Sequence, residues 1–230
     1  MKKINAILAF VIICFTGGKA YAQFSLNIEY TPINYHSKYA PLEITIDGEN
    51  HSLSPTSITM KFFGISAGAL YTFNLKHNLA LSTGGSFRWN HKYAPFIVYQ
   101  SGVSSIIEES IYNYLFVDIP LTLEYNIMLN HKWKLSPFIG TAFSFNLVGI
   151  AKTNYFETIY DATTGESYKP EDTKQIYHQK PNIFGISGAT ISYSHFNINA
   201  GYRIGLLDLL LKNNPRTTTH GLFVGFGYTF

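Results

Sequence analysis

The sequence alternates apolar and polar residues over long stretches, and the alternation is clearest at residues 112–127. One face of this segment carries Leu115, Val117, Ile119, Leu121, Leu123, Tyr125 and Ile127, and the other carries Phe116, Asp118, Pro120, Thr122, Glu124 and Asn126. A helix would mix the two sets, whereas a strand separates them. The segment is about three times as long as a usual strand of a soluble protein. It therefore favours a tilted strand that crosses a membrane.

Eight segments show this pattern along the chain. They are residues 24–32, 59–75, 78–93, 112–127, 132–148, 182–193, 195–204 and 219–230. Membrane barrels of one chain have an even number of strands, and eight strands make an interior that side chains can fill. The sequence therefore predicts an all-β fold, an eight-stranded antiparallel transmembrane β-barrel.

The predicted connections alternate between short and long. The short ones are Lys76-His77, Asn130-His131 and Ser194-His195, and the long ones are residues 33–58, 94–111, 149–181 and 205–218. Outer-membrane barrels have short periplasmic turns and long extracellular loops, with both termini in the periplasm. The order of lengths places both termini on the short-turn side. Within the third loop we expect strands five and six to continue as a hairpin above the membrane.

The first residues have the features of a secretory signal peptide. Lys2 and Lys3 precede an apolar stretch at residues 4–15, and Ala20-Tyr21-Ala22 follows as a small-x-small cleavage pattern. A membrane anchor helix is the alternative, but the stretch is shorter than the roughly 20 residues that a span requires. We expect cleavage between Ala22 and Gln23, which divides the chain into a signal peptide at 1–22 and a barrel domain at 23–230.

Removal of this segment changes the charge of the chain. Three of the 17 basic residues lie within it, so 14 basic and 14 acidic residues remain. The remaining chain has no formal net charge, which gives no argument for binding nucleic acid. Cys14 leaves with the segment, so no disulfide or thiol ligand is expected. Charged residues make up 13% of the sequence, about half the share of a soluble domain.

Several segments resemble the PorT-like family of outer-membrane barrels, which has an OmpA-like small-barrel architecture. They are Ile119-Pro120-Leu121 with Glu124-Tyr125, residues 134–140 (KLSPFIG), residues 199–206 (NAGYRIGL) and the ending GFGYTF at 225–230. The resemblance covers about the last 120 residues. It implies a barrel in the outer membrane of a Gram-negative cell. It implies little about a role, because most members have none assigned and only one namesake is linked to protein secretion.

The predicted inward face carries charges that a lipid-facing surface would not tolerate. They are Glu29, Arg88, Asp118, Glu124, Lys134 and Arg203. Arg88 and Asp118 lie at similar heights on neighbouring strands, and Glu124 and Lys134 lie near the short-turn ends. Buried charges of opposite sign should pair, because an unpaired one costs several kcal/mol. The favoured interpretation is a structural network that fills the lumen, and the alternative is a conducting or gated pore.

Aromatic residues are expected at the two edges of the membrane. Trp133 opens strand five, and Trp89 and Tyr93 lie high on strand three, so we interpret them as interface girdles. Tyr228 and the final Phe230 fit the terminal strand signal that the barrel-assembly machinery reads by strand pairing. The expected partners are thus outer-membrane lipid, this machinery during biogenesis and a protein still to be identified.

The histidines do not suggest an active site or a metal site. His36, His51, His77, His91, His131, His178, His195 and His220 are scattered over turns and loops without ligand spacing. We expect no cofactor, no metal and no catalytic residues. The sequence leaves three functions open. A non-enzymatic barrel with a structural or interaction role is favoured over a narrow pore for a small solute, and an outer-membrane hydrolase is the least supported.

Overall fold

Eight strand positions close into a ring in this computed structural model. The structure describes residues 22–38, 42–46, 49–53, 57–100, 104–155, 159–161, 166–168, 173–177, 181–207 and 216–230. The strands are β1 (Ala22–Tyr30), β2 (Ile33–Lys38), β3 (Leu42–Ile46), β4 (Glu49–Leu53), β5 (Ser57–Asn74), β6 (Leu79–Gln100), β7 (Ser104–Tyr125), β8 (Ile127–Met128), β9 (Trp133–Tyr155), β10 (Ile159–Asp161), β11 (Glu166–Tyr168), β12 (Thr173–Tyr177), β13 (Asn182–Tyr193), β14 (Phe196–Gly205) and β15 (Arg216–Thr229). No described helix is long and apolar enough to cross a bilayer.

The ring is antiparallel throughout. Its order is β1-β15-β14-β13-β9-β7-β6-β5, and β1 closes it by pairing with β5. Outward side chains are apolar and exposed, such as Ile139 and Leu222, at 66% and 64%. Inward positions are small, polar or aromatic, and they include buried Arg88. This arrangement confirms the predicted eight-stranded barrel.

Three tight turns and both ends of the described chain lie at one end of the barrel. His77 and Asn78 have positive φ angles of 59° and 62° in the first turn, as a tight hairpin turn requires. Asn130 Oδ1 accepts hydrogen bonds from the backbone of Lys132 and Trp133 in the second. Phe230 N donates to Phe24 O at 2.9 Å, which joins the ends of the ring. This is the predicted periplasmic end.

The first strand is longer than predicted and has a break. Residues 33–58 were expected to form a loop, but β2 pairs with β5 and β15 in the same ring position as β1. Thr31 and Pro32 separate the two halves, and proline has no N–H to donate to a ladder. The loop prediction failed because Pro32 interrupts the alternation. Within the same segment, β3 and β4 form a separate two-stranded sheet.

Other predicted loops also contain strand. Residues 94–100 and 104–111 form the paired upper parts of β6 and β7, and β9 extends to Tyr155. In the third loop β12 pairs with β9, and β10 with β11, which confirms a hairpin above the membrane. Residues 205–218 were expected to be a loop, yet β15 already begins at Arg216. These extensions were not predicted because a strand above the lipid needs no apolar outer face, so its sequence need not alternate.

Candidate functional site in the barrel lumen

Four charged side chains meet inside the barrel at the middle of its strands. We call Glu29, Arg88, Asp118 and Arg203 the lumen cluster. β1, β6, β7 and β14 each supply one residue, and each position alternates with outward neighbours. Arg88, Asp118 and Arg203 are buried, with exposed fractions of 1%, 4% and 7%. The cluster therefore lies in an environment where every charge needs a partner.

Arg88 and Asp118 form the tightest pair of the lumen cluster. Arg88 Nε donates to Asp118 Oδ2 at 2.7 Å, and Arg88 Nη2 donates to Asp118 Oδ1 at 3.2 Å. Two parallel N–H···O bonds fix the relative orientation of the guanidinium and carboxylate planes as well as the distance between the two groups. The remaining guanidinium hydrogens reach Ser144 Oγ at 3.0 Å and Asn90 Oδ1. The Arg88 guanidinium also lies 4.3 Å from the ring centre of Phe116.

Arg203 connects the two acids of the lumen cluster. Its Nη1 donates to Asp118 Oδ2 at 3.4 Å, and its Nη2 lies 3.7 Å from Glu29 Oε2. Glu29 also accepts hydrogen bonds from Asn199 Nδ2 at 2.7 Å and Ser66 Oγ at 3.2 Å. The chain Arg88–Asp118–Arg203–Glu29 therefore spans the lumen with charges of alternating sign.

An aromatic layer lies on the extracellular side of the lumen cluster. Phe62, Tyr114 and Phe116 are buried together, and Tyr35 packs against them. The ring centres of Tyr35 and Phe62 are 4.9 Å apart, and those of Phe62 and Tyr114 are 5.7 Å apart. The Arg88 guanidinium packs against Phe116 of this layer. The layer and the lumen cluster therefore form one packed plug.

Below the lumen cluster the interior contains two cavities, which are lined by both polar and apolar side chains. A cavity of about 100 Å³ reaches from Asp118 and Arg203 to Glu124. A second cavity of about 60 Å³ shares Glu124 and continues to Lys134 and Thr229 near the turn end. Asn27 Oδ1, Asn199 Oδ1 and Arg203 Nε are buried here without a hydrogen-bond partner among the described residues.

Glu124 and Lys134 are arranged differently from the sequence expectation. The two were expected to pair, but among the described residues no ion pair joins them. Glu124 accepts a hydrogen bond from Ser82 Oγ instead, and Lys134 lines the same cavity. Glu124 lies opposite Phe138 on β9, which leaves Lys134 further toward the turn. The separation of Phe138 and Lys134 along β9 explains why Glu124 and Lys134 do not pair.

The residues assigned to girdles and to assembly lie on the outer surface. Trp89, Tyr93 and Trp133 are exposed to 39%, 54% and 42%. The Tyr228 and Phe230 rings are 5.0 Å apart at the end of β15. Ala22 and Gln23, the expected cleavage site, begin β1, and the rest of the signal segment lies outside the described residues.

Two of the described histidines contact neutral polar side chains. His36 Nδ1 lies 2.9 Å from Thr59 Oγ1, and His91 Nδ1 lies 3.0 Å from Asn113 Oδ1. His178 and the side chain of His51 lie outside the described part of the chain. Among the described residues, no group of three His, Cys, Asp or Glu side chains could hold a metal ion.

Sequence reasoning missed several neutral partners in the lumen. Ser66, Asn90, Ser144 and Asn199 all bond to the lumen cluster. Each lies at an inward position of its strand, so the alternation alone would have identified them as candidates. Tyr35 was missed because its strand was expected to be a loop.

A family model and several solved structures are similar to this chain. A family model described as "Outer membrane protein beta-barrel domain" matches residues 13–211. The attachment invasion locus protein Ail of Yersinia pestis is 15% identical, with 91% of this chain and 99% of that chain covered and a TM-score of 0.40. Neisserial surface protein A is 12% identical, with 91% and 99% covered and a TM-score of 0.38. Among curated proteins, none matches the sequence.

Proposed function

Because the chain belongs to the family of outer membrane protein beta-barrel domains, we propose that it is a non-enzymatic barrel with a structural or interaction role. The protein resides in the outer membrane. The lumen cluster carries the proposal, because four charges and an aromatic layer occupy the path that a solute would take. A barrel of eight strands has an interior that its own side chains can fill.

Because the lumen is filled, we assign the interaction role to surfaces outside it. β6, β7 and β9 run beyond the ring, and β12 adds a fourth strand to this sheet. Residues 94–100 pair with residues 104–110 beyond the Tyr93 row, and we assign these paired segments to the region above the membrane. A paired sheet is more rigid than a free loop, and rigid surfaces lose less entropy when they bind. The extracellular sheet and the periplasmic turn end are the two candidate contact surfaces.

A narrow pore is the second candidate, and one observation favours it. The two cavities below the lumen cluster share lining residues such as Glu124, and the second extends toward the periplasmic end. In the described part of the chain, the plug lies between these cavities and the extracellular side. For conduction, Arg203 would have to leave Asp118 and Glu29, and the aromatic layer would have to part.

We also propose three features that the sequence suggests. Residues 1–22 act as a cleaved signal peptide, and Trp89, Tyr93 and Trp133 lie at the membrane interfaces. Tyr228 and Phe230 form the signal for the barrel-assembly machinery. Membership of the PorT-like subfamily is part of the same proposal and is supported by the motifs at residues 119–125, 134–140, 199–206 and 225–230.

Shortening the β6–β7 hairpin tests the interaction role. Phe96 lies opposite Glu108, so replacing residues 97–107 by Asn-Gly should retain the register with a two-residue turn. We expect the wild type, crosslinked in intact cells, to give a defined adduct that the shortened variant lacks. Heat-dependent mobility on SDS gels controls for folding. A folded variant with the same adducts would contradict a role for this hairpin.

A further inference from the structure

Three rows of outward residues cross β6, β7, β9 and β12 near the extracellular edge. The lowest row is Trp89, Leu115 and Val148, the next is His91, Asn113, Ile150 and Ile176, and the highest is Tyr93, Ile111, Lys152 and Lys174. Each row follows the strand register, so its members are direct neighbours. Polarity increases with height: the first row is apolar, the second mixed, and the third ends in two cations.

Lys152 marks the upper end of the apolar band on β9. The outward positions below it, from Leu135 to Ile150, carry no charge. Ile139, Phe143 and Phe145 among them are exposed to 66%, 41% and 41%. The apolar band of an outer-membrane barrel is about 25 Å tall, and charged headgroups begin at its edge. Lys152 therefore lies where the phosphates of the outer leaflet are expected.

Lys174 lies directly opposite Lys152 in the β9–β12 ladder. Directly opposite residues in an antiparallel pair have Cβ atoms about 4.5–5.5 Å apart, and like charges at this spacing repel. Both lysines are exposed. Among the described register positions of this row and the next, Glu109 is the acidic one, one row higher and opposite Asn154. At these positions two lysines stand against one acid, and an anion can balance the remaining positive charge.

We propose that Lys152 and Lys174 together bind a phosphate group of an outer-leaflet glycolipid. The two ammonium groups donate charge-assisted hydrogen bonds to the phosphate oxygens. The acyl chains of the same lipid lie along the apolar positions below, Val148, Ile150 and Ile176. Tyr93 flanks the headgroup from the same row. A free phosphate ion makes only the first set of contacts, so the lipid is the preferred ligand.

The test measures binding of a diphosphorylated lipid A to the full-length folded protein in detergent micelles by native mass spectrometry. Lys152→Gln/Lys174→Gln removes both charges. Lys76→Gln/Lys132→Gln is the matched control, since these exposed lysines lie in the turns at the opposite end. We expect about tenfold weaker binding or more in the first variant, because each lysine near an anionic surface contributes about fivefold. The control should bind like the wild type.

Four results would overturn the proposal. The first three are unchanged affinity in the Lys152→Gln/Lys174→Gln variant, an equal loss in the control variant, and equal binding of dephosphorylated lipid A. The fourth is full competition by inorganic phosphate at the concentration of the lipid, which would contradict a lipid ligand. Heat-dependent mobility on SDS gels shows that each variant is folded. If the double variant does not fold, Lys174→Gln alone on the edge strand β12 should weaken binding about threefold to fivefold.

Discussion

Arg88 Nε donates a 2.7 Å hydrogen bond to Asp118 Oδ2, although the two residues are not directly opposite in the sheet. Ser86 lies opposite Asp118, and Arg88 lies opposite Phe116, so the ion pair runs diagonally from β6 to β7. The same carboxylate oxygen accepts from Arg203 at 3.4 Å. Asp118 thus links strands on opposite sides of the lumen through one side chain.

The central position of Asp118 makes its loss more harmful than the loss of Arg88. Asp118→Leu leaves Arg88 without a carboxylate and Arg203 with Glu29 alone, so we expect destabilisation of about 3–5 kcal/mol. Arg88→Leu should cost less, because Asp118 keeps Arg203. The double variant should be milder than the sum of the two. Urea unfolding in lipid vesicles measures all three, and additive effects or the reverse order would contradict the proposed coupling.

The break between β1 and β2 depends on a glycine beside it. Thr31 N donates to Gly64 O at 2.8 Å, and a Cβ at Gly64 would collide with the Thr31 carbonyl oxygen. We expect Gly64→Ala to destabilise the barrel by about 1–3 kcal/mol. Gly85→Ala is the matched control, since nothing lies within 4 Å of a Cβ there. Equal unfolding free energies for the two variants would show that the backbone does not pass Gly64 this closely.

The final residue provides a test of the proposed assembly signal. Phe226 on β15 and Phe230, directly after its end, are both exposed, to 54% and 66%. If the assembly machinery reads the end of the strand, Phe230→Ala should lower the folded protein in outer membranes several-fold, and Phe226→Ala should not. The heat-modifiable band in outer-membrane fractions measures this amount. Both variants should refold equally in detergent, because assembly in cells is the step affected.

The proposed signal peptide predicts the first residue of the protein in the membrane. Ala20-Tyr21-Ala22 is the small-x-small site that follows the apolar stretch at residues 4–15. N-terminal sequencing of protein from an outer-membrane fraction should therefore give Gln23. An intact Met1 in that fraction would contradict cleavage.

The sequence predicted the membrane-spanning part of each strand because lipid imposes a strict rule there. Outward positions such as Phe226 must be apolar, while inward ones such as Arg203 need not be, and this contrast produces the alternation. Above the membrane both faces of a strand can be polar, so Ile33–Lys38 and Thr173–Tyr177 gave no such signal. The proline at position 32 further obscured the first strand.

The candidate site was predictable only as far as neighbouring strands determine it. Arg88 and Asp118 lie on consecutive strands joined by one hairpin, so counting residues from the turns gave similar heights. Arg203 lies 85 residues from Asp118 along the chain, and its contact depends on the closure of the ring. The Lys152–Lys174 pair could not be predicted from the sequence because β12 lies within a segment expected to be a loop.

Single-channel recording in planar lipid bilayers tests the plugged lumen most directly. Because the lumen cluster and the aromatic layer fill the barrel at mid-height, the purified wild-type protein should give no stable conductance steps. A triple variant, Arg88→Ala/Asp118→Ala/Phe116→Ala, that still shows heat-dependent mobility should give small steps, since it removes three central side chains of the plug between the lower cavities and the extracellular side. Stable steps of the wild type at the same voltage would contradict a closed lumen and favour the pore.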